Sequence, residues 1–392
     1  ELPEGVPVDP RDRRMPLPRC LLNNGVFIIT LLILSPFLLV LLFFLLPLWC
    51  IAWSWEKKYV SKMCSQSLIA DTELGPVEYV KVGSAPYCLW IPGGDGGFDS
   101  GQAPDGFMVD KWLRDGVGVI SVSRPGFLRT PLTSGRPTKG RDPSIPAFVT
   151  IPAEQADLCA ALLDVLDVKS VVVCGRSGSG PIAIEFAARH PEKTAGLLLF
   201  YCCTYPCGPP PSEGGQRRDG SVPLIVPFAQ MFAMSTLAAW MEKPAPVPEA
   251  HLAPFADMVL QGLSNLDAEE RKAETERLLK IKAFREVVLS GDGAKLAFPS
   301  SARAAGIKND FYNQAWSTKG LPFGKISCPT IIAHGKRDGD VPAAHSEHAH
   351  RQIKDSKIFL FENAYHGCDL MLDPEYEALH PAVIELCKQA SC

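Results

Sequence analysis

The stretch Val171-Val172-Val173-Cys174-Gly175-Arg176-Ser177-Gly178-Ser179-Gly180-Pro181 decides the fold. Its apolar opening reads as a buried strand, its glycines as a sharp turn, and Pro181 as the first turn of a helix, where a missing N–H costs nothing. A serine on such a strained strand-to-helix turn points its Oγ clear of the sheet, and the backbone N–H groups that follow can face an oxyanion. Ser177 is the candidate nucleophile. Ser179 competes, but centring the motif there puts Ser177 and Pro181 where glycines are wanted.

A serine hydroxyl needs a base, and the base needs an orienting acid. On a strand-turn-helix elbow the chain order is serine, acid, histidine. Downstream, Thr330-Ile331-Ile332-Ala333-His334-Gly335-Lys336-Arg337-Asp338 puts an acid just past a strand end, and Glu362-Asn363-Ala364-Tyr365-His366-Gly367 puts a histidine after the next strand. Asp338 and His366 therefore complete a candidate triad. Asp340 is the alternative acid, although its place before Val341-Pro342 suits a cap for the helix that follows. Upstream, Leu89-Trp90-Ile91-Pro92-Gly93-Gly94-Asp95-Gly96-Gly97-Phe98 offers a glycine loop whose backbone can approach a substrate. Gly94 and Gly178 are the candidate oxyanion donors. These glycines lack the lysine and threonine that a phosphate cradle would need.

Outward from the elbow, short β-rich runs alternate with helical stretches: Tyr87 to Ile91, Val117 to Val122, Val171 to Cys174, Leu197 to Tyr201, Thr330 to Ala333 and Lys357 to Phe361. Such alternation predicts an α/β class fold, a doubly wound and mainly parallel sheet. Ile151 to Leu166 and Pro181 to His190 have helical spacing. From Cys207 to about Lys325 the strand pattern stops, leaving a Pro/Gly-rich opening and helical segments such as Asp267 to Leu289. The expected organisation is an N-terminal extension at 1–19, a transmembrane segment at 20–55, a first core part at 65–206, a helical cap at 207–325 and a second core part at 326–392. His345, His348 and His350 lie on a predicted helix but do not all share one face, so a solvated face is expected there and no metal site.

No charged residue occurs from Cys20 to Trp55. Spanning a bilayer takes about 20 apolar residues, and a helix over all of 20–55 would reach about 54 Å, so a single pass with tilt, kink or overhang is expected. Pro36 and Pro47 can kink it, and Trp49, Trp53 and Trp55 suit an interface belt. Arg11, Arg13, Arg14 and Arg19 on one flank nearly balance Lys57, Lys58 and Lys62 on the other, leaving orientation open. A net charge of −4 with no basic stripe argues against a nucleic-acid partner. The 13 cysteines include no C-x-x-C pair, and several (Cys88, Cys174, Cys328) fall inside or beside apolar runs, as small core residues in a reducing compartment would.

These segments resemble the α/β-hydrolase fold superfamily, and in particular the proline-iminopeptidase and esterase-like group. The matching stretches are the glycine loop through Phe98-Asp99, Ser123-Arg124-Pro125-Gly126-Phe127-Leu128-Arg129-Thr130-Pro131, the elbow with Phe186-Ala187-Ala188-Arg189-His190-Pro191, and His334 to Pro342. Pro92 stands where the family usually has histidine, Asp95 where it has proline, and Ser179 in place of the third elbow glycine. The resemblance implies a serine hydrolase that cleaves an ester, thioester or amide without cofactor or metal. With the anchor and the apolar run Leu224, Ile225, Phe228, Met231, Phe232 and Met234, it points to a small or lipid-like substrate at a membrane. The alternative is a hydrolase-fold accessory subunit packed among other membrane subunits. Arg124 and Asp310 are expected to hold loops in place.

Overall fold

Successive strand residues point to opposite faces, so a strand covered on both sides must be apolar throughout. The computed structural model shows this at the centre of the chain. Strand β5 (Val171–Arg176) is buried along its whole length. Val171 and Val173 join one core layer, Val172 and Cys174 the other. The same division runs through β6 (Thr194–Phe200), with Leu197 and Leu199 on one face and Leu198 and Phe200 on the other. The structure describes residues 57–58, 60–94, 96–101, 108–137, 139–206, 249–281, 302–313, 320–367 and 374–389, together with Cys50 and Ser54. Trp53–Cys392 forms one compact unit, apart from Glu1–Ala52.

The remaining strands are β1 (Leu68–Thr72), β2 (Gly75–Val82), β3 (Tyr87–Ile91), β4 (Gly118–Val122), β7 (Thr330–Gly335) and β8 (Lys357–Phe361). They form one sheet in the order β1-β2-β4-β3-β5-β6-β7-β8. Pairing is antiparallel from β1 to β2 and from β2 to β4, and parallel at every other join. Helices α2 (Pro152–Val165), α3 (Gly180–Arg189) and α7 (Ala344–Gln352) cover one face; α1 (Met108–Arg114) and α9 (His380–Gln389) cover the other. A short α8 (Pro374–Glu377) precedes α9. Parallel strands end on the same edge, so the turns after β3, β5, β7 and β8 gather there.

The two antiparallel strands were not expected from the sequence. In β2, Val77 and Tyr79 face the core, while Glu78 on the opposite side is buried against polar partners, so the strand lacks the continuous apolar run of the central ones. The Glu78 carboxylate accepts from the hydroxyls of Ser67 and Ser123 and from Arg129. A charged residue that is hidden by such partners looks, in sequence, like an exposed one.

Between β6 and β7 the described residues form helices α4 (Glu249–Leu263), α5 (Ala268–Lys280) and α6 (Ala304–Tyr312). A reciprocal capping box starts α5: Asp267 Oδ1 accepts from Glu270 N–H at 2.9 Å and Glu270 Oε2 from Asp267 N–H at 2.8 Å. This helix stops at Lys280 rather than Leu289, and residues 282–301 lie outside the described residues. The expected membrane segment at 20–55 also lies outside them, Cys50 and Ser54 excepted. Among the described residues no helix is long and apolar enough to cross a membrane.

Helices α2 and α3 are locked through Asp157, which accepts two hydrogen bonds from Arg189 at 2.8 and 2.6 Å and lies 2.8 Å from His190 Nε2. Burial disfavours the charged carboxyl, but the bonds from His190 and Arg189 outweigh it and draw its pKa down to about 2. An unfolded aspartate titrates near 3.9, so this stabilisation is complete above about pH 4 and is lost as the pH falls to about 2. Asp157→Asn should therefore melt below wild type at neutral pH, with the gap closing as the pH drops through that window. A gap in melting temperature that stays constant at low pH would refute the linkage.

Candidate active site

Ser177 lies between β5 and α3 with φ at 49°, left-handed backbone for a residue with a side chain. Such a conformation costs about 1–3 kcal/mol and persists only where its surroundings hold it. Here the helix presses on the strand ends. A Cβ on Gly175 would come within 2.7 Å of the Ala183 Cβ, and one on Gly180 within 2.5 Å of the Cys202 Cβ. The N–H of Cys203 adds a hydrogen bond to the Ser177 carbonyl at 2.9 Å. Ser179 has a different environment. It is wholly buried, its hydroxyl 2.7 Å from the Ile91 carbonyl and accepting from the Arg176 N–H at 2.8 Å. It struts β3 to β5 and is closed to a substrate.

His366, on the turn after β8, brings the other ends of the sheet to Ser177. Its Nε2 lies 3.0 Å from Ser177 Oγ, and its Nδ1 lies 2.8 Å from Asp338 Oδ2. Facing a carboxylate, Nδ1 carries the hydrogen, which leaves the Nε2 lone pair for the serine hydroxyl. Asp338 follows β7. Its Oδ1 accepts from the N–H groups of Asp340 at 2.9 Å and Val341 at 2.7 Å. Burial opposes ionisation of this carboxyl, yet hydrogen bonds from His334 and His366 prevail and hold it below the usual carboxylate range.

His334 is a partner that the sequence reading passed over. Wholly buried at the end of β7, it places Nε2 at 3.1 Å from Asp338 Oδ2 and 2.8 Å from the Val341 carbonyl. Both neighbours are acceptors, so Nε2 carries the hydrogen and Nδ1 accepts from the Ser346 hydroxyl at 2.6 Å. Its signal was a histidine ending an otherwise apolar strand, four residues before the acid. Tyr201 was also missed; its ring packs edge-on against His366 at 4.7 Å, and its hydroxyl accepts from Arg176 Nε at 2.7 Å.

The glycine loop closes on the elbow from the β3 side. A Cβ on Gly93 would lie 3.0 Å from that of Ser177, so the two backbones run side by side, and Gly94 and Gly178 are the residues that follow them. Gly94 faces open space. Arg124 fixes this approach by donating to the Gly93 carbonyl and by a buried two-bond pair with Asp310 of α6 at 2.6 and 2.5 Å. Asp95 lies outside the described residues.

Helices α4 and α5 are bonded to the same turns. The Leu263 carbonyl accepts from the N–H groups of His366 at 3.1 Å and Gly339 at 3.2 Å, and the Tyr365 hydroxyl donates to Glu274 at 2.7 Å.

Two expectations fail. Asp340 does not cap the next helix: Ala343 is the N-cap of α7, with no side-chain bond. Asp340 Oδ2 points instead toward His366 Nε2, 3.4 Å away. Nor is the face bearing His345 and His348 a solvated one. His345 is buried, stacked on Tyr205 at 3.7 Å and accepting from the Thr204 N–H, while His348 packs edge-on to Tyr205 and Phe323. Polar side chains reach this burial by aromatic stacking, which helical spacing does not disclose. Among the described residues no group of His, Cys, Asp or Glu is arranged to hold a metal. Their cysteines are free thiols, and burial pushes Cys159 and Cys387 up to about 12.

A mainly parallel eight-stranded sheet with an elbow serine after β5, an acid after β7 and a histidine after β8 is the α/β-hydrolase fold, and the chain has it. No family model matches the chain. It is similar to the pimeloyl-acyl-carrier-protein methyl ester esterase of Aromatoleum aromaticum, 28% identical over 233 residues, which is 58% of this chain and 80% of that one. The uncharacterized hydrolase YcgS of Bacillus subtilis is 24% identical over 296 residues, 74% of this chain and 88% of that one. Among solved structures, an alpha/beta hydrolase fold protein from Nakamurella multipartita superposes with a TM-score of 0.63 at 24% identity, covering 83% of this chain and 100% of that one.

Replacing Ser179 by alanine removes a buried acceptor from Arg176 N–H and a donor from the Ile91 carbonyl. We expect Ser179→Ala to lower stability by about 1–3 kcal/mol, measured by denaturant unfolding, the range for a buried polar group left unpaired. A variant as stable as wild type would mean that the strut carries no weight.

Proposed function

We propose that the chain is a membrane-anchored serine hydrolase that cleaves an ester, thioester or amide through an acyl-enzyme. The observation that carries this reading is His366, with Nε2 at 3.0 Å from Ser177 Oγ and Nδ1 at 2.8 Å from Asp338 Oδ2. In the proposed cycle Ser177 Oγ attacks the carbonyl carbon as Nε2 takes its proton. Asp338, charged and doubly anchored on its far oxygen, steadies the imidazolium. The N–H groups of Gly94 and Gly178 receive the oxyanion. Nε2–H then protonates the leaving group, and a water activated by the same nitrogen releases the acid and restores Ser177.

Ester cleavage is the favoured chemistry, since a relative at 28% identity bears the name of a methyl ester esterase. A hydrophobic acyl group suits the uncharged run from Val222 to Met241 and the apolar segment at 20–55.

The test is reaction with a serine-directed fluorophosphonate. Ser177→Ala should abolish labelling while melting like wild type, and Asp338→Asn should slow ester turnover by orders of magnitude, on the order of 10⁴-fold in the serine-protease template. Labelling that survives in Ser177→Ala would defeat the assignment. For the anchor, removing residues 1–62 should release the chain from membranes, read as a shift to the supernatant after a carbonate wash. Retention in the pellet would show that another segment or a partner attaches it.

A further inference from the structure

Asp338 is not the only carboxylate at the imidazole. Asp340 Oδ2 stands 3.4 Å from His366 Nε2, the nitrogen that also faces Ser177 Oγ, whereas Asp338 occupies Nδ1. The two acids differ in environment: the Asp338 side chain is fully enclosed, and that of Asp340 is 53% exposed. The backbone at Asp340 is held by its own N–H, which donates to Asp338 Oδ1 at 2.9 Å, and by the next N–H, from Val341, at 2.7 Å. Among the described residues no lysine or arginine pairs with it.

That position matters when the bond breaks. On the serine-hydrolase reading, on which this inference rests, the leaving atom takes its proton from Nε2 and must come within about 3 Å of it. It then lies no more than about 6.5 Å from the Asp340 carboxylate, which is inside the roughly 8 Å screening length at physiological ionic strength. A negative charge that near to the leaving atom favours a positive substituent on the leaving group and opposes a negative one. We infer that Asp340 is a specificity-determining residue, selecting substrates whose leaving group is cationic over those whose leaving group is neutral or anionic.

The test compares acetylcholine with 3,3-dimethylbutyl acetate, which share shape and acyl group and differ in the leaving group's charge. In the full chain the ratio of their kcat/KM values should fall about 2- to 3-fold on Asp340→Asn, the size expected for one unit charge about 6.5 Å away in a watery dielectric. Asp340→Glu, which keeps the charge, should keep most of the ratio, and added salt should erode it in wild type. A variant that merely disturbed the site would slow both esters together. An unchanged ratio in Asp340→Asn overturns the assignment. Failure of the hydrolase reading is distinguishable, because the wild-type chain would then cleave neither ester and take up no fluorophosphonate, and the inference would fall with it.

Discussion

The rest of the site depends on the backbone of Ser177, held in left-handed geometry where β5 turns into α3. That geometry survives because the helix lies closer to the sheet than any side chain at Gly175 or Gly180 would allow. A strained turn that could relax would drop the hydroxyl back toward the sheet. Ser179 prevents this from below by tying the turn to the end of β3, and Cys203 prevents it from the side. Because the neighbouring strands are parallel, the same edge receives the glycine loop, the acid and the histidine, as ligand sites of open α/β sheets do.

Electrostatics then divides the labour between two acids two residues apart. Asp338 is buried, a state that a carboxylate tolerates only when its lone pairs are filled. Four donors fill them: the N–H groups of Asp340 and Val341, His334 and His366. Its charge is therefore available to the imidazole without being exposed to water. Asp340 keeps its solvent contact and meets the opposite nitrogen. One turn thus presents a buried carboxylate to Nδ1 of the ring and a solvent-exposed one to Nε2.

The inserted helices are tied into this arrangement. Leu263 at the end of α4 bonds to the backbone of both His366 and Gly339, Glu274 of α5 holds Tyr365, and Asp310 of α6 pairs with the arginine that pins Gly93. Displacing α4 would break hydrogen bonds at His366 and beside Asp338 at once, so this part of the insertion supports both turns.

What the sequence by itself determined follows from local rules. Apolar runs long enough for a doubly buried strand, a glycine turn before Pro181, and an acid and a histidine in order past later strands are each readable over a few residues. From these came the α/β class, the central strands and the candidate residues Ser177, Asp338 and His366. Only the tertiary structure decided what depends on distant partners. Glu78 in β2 reads as exposed until Ser67, Ser123 and Arg129 surround it, and His345 until Tyr205 stacks on it. His334 gains its role where Ser346 and the Val341 carbonyl fix its ring against Asp338, and Asp340 meets His366, which comes from another strand end. The environment of a polar side chain is set by what the fold brings to it through space, and neighbours along the chain carry no record of that.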